Sequence, residues 1–96
     1  MNRETILTTL RQHQADLSAH SVGRLFLFGS AARNNMHPGS DVDLLVEFTR
    51  PVGLFAFLDL KNYLEDLLGC PVDLGTPRSL KPSLQKEVLE EAIRVT

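Results

Sequence analysis

The chain has 96 residues, 43% of them hydrophobic and 23% charged, with a net charge of −2, which is an ordinary soluble composition in the size range of one domain over residues 1–96. The slight acidic balance argues against a general nucleic-acid binder, which shows a basic excess. A lone Cys70 excludes an intrachain disulfide, and no apolar run is long enough to span a membrane. Nor does Met1-Asn2-Arg3-Glu4 open like a signal peptide, so a cytoplasmic protein is expected.

Residues 3–19 read as a helix with Ile6, Leu7, Leu10 and Leu17 on one face. Leu25–Phe28 is a short apolar run that reads as a buried strand. Ser30 precedes Ala31-Ala32-Arg33, which predicts a short helix capped by its hydroxyl. Asn34, Asn35, Pro38 and Gly39 form a loop, and Asp41–Phe48 is a second strand ended by Pro51–Gly53. Over 54–68, Leu54, Phe57, Leu58, Tyr63, Leu64, Leu67 and Leu68 make a broad apolar stripe, with Gly69 just past its end. Pro71–Leu74 is a third strand with Asp73 inside it. Gly75-Thr76-Pro77 turns the chain, and Pro82 suits the first turn of a helix over 82–92 with Leu84, Val88 and Leu89 facing the core. Ile93–Val95 adds a last short strand. Alternation of this kind predicts an α/β (α+β) fold, a small sheet flanked by helices. Strand directions do not follow from it.

The chemistry concentrates in Gly29-Ser30 and Asp41-Val42-Asp43, set between two apolar runs. Side chains alternate along a strand, so Asp41 and Asp43 share a face with Leu45 and Glu47, while Val42, Leu44, Val46 and Phe48 pack on the other. Two such carboxylates lie about 7 Å apart and repel unless a dication joins them. Mg²⁺ takes one or two carboxylates together with substrate phosphates. Gly29 lets a backbone approach a phosphate closely, and Ser30 adds a hydroxyl beside the N–H groups of a helix start. Asp73, between Val72 and Leu74, is the candidate third carboxylate, completing a two-metal site and taking the acceptor's proton.

The joint pattern of an apolar residue, Gly29-Ser30, residues 31–40 and Asp41-x-Asp43 resembles the signature of the DNA polymerase β-like nucleotidyltransferase superfamily. Its later Pro71-Val72-Asp73-Leu74 and Thr76–Pro82 segments resemble the minimal nucleotidyltransferase (MNT) branch, and the likeness covers nearly the whole chain. The resemblance implies a polymerase β-like core with a small mixed sheet, Mg²⁺ as cofactor and ATP as substrate. By this likeness Asp41, Asp43 and Asp73 match the metal-binding and catalytic carboxylates, and Gly29 and Ser30 the phosphate turn. Many MNT proteins are antitoxins paired with a HEPN-domain toxin, a small helical ribonuclease. The resemblance therefore implies the antitoxin of a type VII-like pair, an adenylyltransferase that moves AMP from ATP to a toxin tyrosine, with no membrane and no direct nucleic-acid partner. Two positions depart from the pattern: Ala31 stands where many relatives carry a basic residue, and Asn34 where they carry Gly. Asn tolerates the left-handed turn, and Arg33 is the cation left to contact the nucleotide.

Two other readings stay open: a non-catalytic antitoxin that neutralises its toxin by binding alone, and a transferase acting on a small molecule such as an aminoglycoside. The remaining residues carry plainer expectations. His13, His20 and His37 belong to the surface or loops, Glu47 to a solvated strand end, and Arg78 and Lys81 to the surface. Cys70, Tyr63 and the phenylalanines belong mostly to the core.

Overall fold

A computed structural model describes residues 2–34, 40–77 and 82–96, without the side chains of 84 and 87–89. The placements expected for the 35–39 loop with His37, for Arg78 and Lys81, and for Leu84, Val88 and Leu89 lie outside the described residues.

The first expected helix is two. α1 (Arg3–Gln12) starts at Asn2, whose side chain accepts the Thr5 N–H at 2.9 Å, and α2 runs Gln14–Ala19. They part at His13. Its Nδ1–H donates to the Thr9 carbonyl at 2.8 Å, the oxygen that its own N–H would take in a continuous helix. The His13 N–H turns instead to the Leu10 carbonyl at 3.1 Å. The chain then enters β1 (Val22–Phe28), α3 (Gly29–Ala32), β2 (Val42–Phe48) and α4 (Leu54–Leu68). β3 (Val72–Gly75), α5 (Pro82–Glu91) and β4 (Ile93–Arg94) complete it.

The strands form one mixed sheet in the order β3-β2-β1-β4. β1 pairs antiparallel with β2 and β4, and β2 pairs parallel with β3. One face carries the core. Leu25, Leu27, Val42, Leu44, Val46, Val72 and Leu74 meet Ile6, Leu7 and Leu10 of α1, Leu17 of α2, and Leu60, Leu64 and Leu68 of α4. Each such side chain, fully buried, contributes roughly 1.5–3 kcal/mol. The buried leucines of α4 recur every fourth residue, one stripe of the helix, and Gly69 closes it in a left-handed conformation with φ +69°. The Glu65 carboxylate of α4 accepts the Val72 N–H at 3.0 Å, fastening the edge strand β3 to the helix.

Three expectations shift. Phe55 is 84% exposed, and Leu54 and Leu58 share that outer side of α4, so the apolar stripe is wider than the buried one. Tyr63 is half-buried, stacked against His20 at 5.1 Å between ring centroids, and donates its hydroxyl to Asp16 at 2.9 Å. Glu47 is no bare strand end, because it pairs with Arg24 across the β1–β2 ladder at 2.6 Å. Among the described residues, no helix is long and apolar enough to cross a membrane.

Candidate active site

Strand register builds the site. Phe28, the last residue of β1, lies opposite Asp43 of β2, and Asp43 lies beside Asp73 of β3. Cross-strand neighbours share a face of the sheet. Val42, Leu44, Val72 and Leu74 all enter the core, so Asp43 and Asp73 between them project from the opposite face, where they meet. Leu45 shares that face, yet it is 1% exposed, so the floor beyond Asp43 is apolar.

Immediately after Phe28 the chain bends over this pair. Gly29 has φ +69°, and a Cβ there would collide with the Asp43 carboxylate. Glycine is required twice over, by the left-handed backbone and by the close approach. α3 begins at Gly29 itself, with Phe28 in the cap position and no side-chain cap bond, so Ser30 is inside the helix and does not cap it. A glycine on which the chain pivots starts the helix one residue earlier than the hydroxyl signal indicates. Ser30 is half-buried beside the turn. Asn34 ends the turn at φ +56°, the left-handed conformation expected of it, with its N–H on the Ala31 carbonyl at 3.1 Å.

The electrostatics follow from the crowding. Burial, then the Asp73 carboxylate with which it hydrogen-bonds, then Asp41, push the Asp43 carboxyl above its ordinary range, and Arg33 opposes them. Arg33 is exposed and pairs loosely with Glu91 of α5 at 3.6 Å. Ala31 is fully buried, so that position packs, and the positive field on Asp43 comes from Arg33. Asp41 stands one residue before β2, exposed, where the Val42 N–H on the Pro71 carbonyl at 3.0 Å ties the two strand entries together. Its charge reaches Cys70 as well. Burial first, then Asp41 and Glu65, raise the thiol's pKa, so this cysteine stays a thiol at the rim of the acidic cluster. No spacing in the sequence indicates that neighbourhood, because it arises from the α4–β3 connection.

Among the described residues, no group of three or more His, Cys, Asp and Glu side chains is arranged to hold a metal ion. The donors fit a weaker demand. Asp43 and Asp73 are two hard oxygen ligands in mutual repulsion, and Mg²⁺ is commonly held by one or two carboxylates with substrate phosphates and water supplying the rest. Asp43 and Asp73 therefore suit a cation that arrives with a polyphosphate.

Residues 5–95 match a family model described as a nucleotidyltransferase domain. The protein adenylyltransferase MntA of Thermococcus cleftensis is 38% identical over 97 residues, spanning 93% of this chain and 98% of that protein. A solved structure assigned to a minimal nucleotidyltransferase superposes with a TM-score of 0.84 at 40% identity, covering 97% of this chain and 95% of the other. A structure of tri-AMPylated Shewanella oneidensis HEPN toxin in complex with MNT antitoxin contains the same fold, with a TM-score of 0.68 at 20% identity over 98% of this chain and 71% of that one.

Proposed function

Because the chain belongs to the nucleotidyltransferase domain family and is similar to a protein adenylyltransferase and a minimal nucleotidyltransferase, we propose that it is an antitoxin that transfers AMP from ATP to a tyrosine of a HEPN-domain toxin and so silences it. The observation that carries this reading is the Asp43–Asp73 pair directly beneath the Gly29 turn. A turn that admits no side chain suits a polyphosphate, and a carboxylate pair in repulsion suits the cation bound to it.

In this reading Gly29 and Ser30 hold the triphosphate, and Arg33 leaves its loose, exposed pairing with Glu91 to steady it. Asp41 and Asp43 would hold Mg²⁺, with Asp73 completing the set. When bound, the ion would neutralise charge on the phosphates and on the carboxylates together. The tyrosine oxygen attacks the α-phosphorus, the bond to the bridging oxygen breaks, and pyrophosphate leaves. Asp73, exposed at the edge strand, takes the hydroxyl proton. Positioning and electrostatics supply most of the rate in such transfers. The acceptor has to be brought by its own protein, in the cytoplasm where ATP and toxin meet.

Incubation with α-labelled ATP, Mg²⁺ and the toxin should label the toxin, with mass increments of AMP on a tyrosine. An Asp41→Asn/Asp43→Asn double variant should leave it unlabelled. Labelling unimpaired by the double variant would sink the assignment. Stoichiometric neutralisation without ATP would favour binding alone.

A further inference from the structure

α3 has four residues, too few to hold a helix by its own hydrogen bonds. Its position comes from Ala31 and Ala32 packing into the core and from contacts at its two ends. At the near end Gly29 rests on Asp43. At the far end, Arg3 of α1 reaches residues 29 and 31 positions further along the chain. Its Nη1 donates to the Ala32 carbonyl at 3.2 Å, and its backbone N–H donates to Asn34 Oδ1 at 3.1 Å. That N–H belongs to the first turn of α1, where a helix start leaves donors without intrahelical partners. The guanidinium Nε is held by Glu4 at 3.4 Å, which leaves Nη1 directed at the turn. Neither contact packs the core. Ile6, Leu7 and Leu10 bury the helix, and Asn2 caps it, without Arg3.

We infer that Arg3 is a positioning residue for nucleotide binding: with Asn34 it clamps the far end of the Gly29–Ala32 turn and sets where the turn's backbone meets the triphosphate. The inference rests on the reading of Gly29 and Ser30 as the phosphate turn. Arg3 acts through that turn and does not contact the nucleotide.

Affinity for a fluorescent ATP analogue with Mg²⁺ tests the clamp without any acceptor. Arg3→Ala should bind about tenfold more weakly, the scale of a small misplacement of a binding backbone, with its melting temperature little changed. Arg3→Lys keeps one donor and should recover part of the loss. Asn34→Gly keeps the left-handed backbone, removes the acceptor and should weaken binding by a smaller factor. Where the toxin is present, KM for ATP should rise more than kcat falls. Wild-type affinity in a folded Arg3→Ala overturns the clamp. If Arg3→Ala does not fold, Asn34→Gly decides, and wild-type affinity there overturns it equally. A wild-type chain that binds no ATP brings down the phosphate-turn reading and the clamp with it. A wild-type chain that binds ATP but labels no protein tells only against the tyrosine acceptor, and the affinities still decide the clamp.

Discussion

Asp43 sits where charge is least comfortable, between burial and the Asp73 carboxylate, and its pKa is raised above that of an unfolded carboxylate. As pH climbs from the ordinary carboxylate value to the raised one, the unfolded chain has lost a proton that the folded chain keeps. Unfolding then releases that proton, so stability falls through the window and the full penalty remains above it. Asp43→Asn removes the penalty and can still donate to Asp73. Urea denaturation without metal should therefore find the variant more stable at neutral pH, by less than about 1 kcal/mol given solvent screening, and equal to wild type in acid. A loss of stability at neutral pH would contradict the crowding. Tyr63 gives a second titration, readable because the chain has one Tyr and no Trp. Burial first, then its hydrogen bond to Asp16 and the charge there, raise the phenol to about 12. An unfolded tyrosine ionises near pH 10, so this contribution to stability is lost between the two values as pH rises. Ultraviolet titration should place the tyrosinate near the higher value. Asp16→Asn should lower it only partway, since burial remains.

Helices were easier to read in the sequence than sheet pairings, and their failures have local causes. Although the buried Leu60 is not in the apolar stripe read from the sequence, the bounds of Leu54–Leu68 were legible because that broad stripe runs into Gly69 at φ +69°. The break at His13 was not, since it depends on an imidazole reaching back to the Thr9 carbonyl. Leu54 and Leu58 belong to the stripe in the sequence yet are exposed, because apolarity alone does not say which side of a stripe meets the sheet. The meeting of the Gly29 turn with the start of β2 is legible in the sequence, and so is Asp73 as a third carboxylate on a strand. That Asp73 stands beside Asp43 follows from the parallel β2–β3 register, which no single strand's sequence carries. Glu65 holds that register at the edge. Replacing it with Ala strands the partly buried Val72 N–H, which costs about 1–3 kcal/mol. Hydrogen exchange at Val72 should quicken and nucleotidyl transfer should fall as Asp73 loosens. Glu65→Gln, which keeps a carbonyl acceptor, should behave close to wild type. Unchanged exchange in Glu65→Ala would show that β3 is held by pairing with β2 alone.

At the scale of the molecule, the acidic pair lies on one face of a sheet whose other face carries the main core cluster among the described residues. Whatever relieves repulsion at the pair therefore acts on the strands that carry the core, and site and stability are linked. A ligand that binds only the folded chain stabilises it by about 2.7 kcal/mol at a hundred times its Kd. For a chain of this length each kcal/mol moves Tm by roughly 4–8 °C. Saturating Mg²⁺ with ATP should thus raise Tm by on the order of 10 °C or more, followed by circular dichroism. ATP with a chelator should give a much smaller rise, because the phosphates then add negative charge above Asp43 and Asp73. Asp43→Asn provides the internal check. It begins more stable than wild type without ligand, yet its Mg²⁺-dependent rise should nearly vanish, so the two melting curves should cross in rank once nucleotide and metal are added. An equal rise in the variant would place the cation away from the Asp43–Asp73 pair.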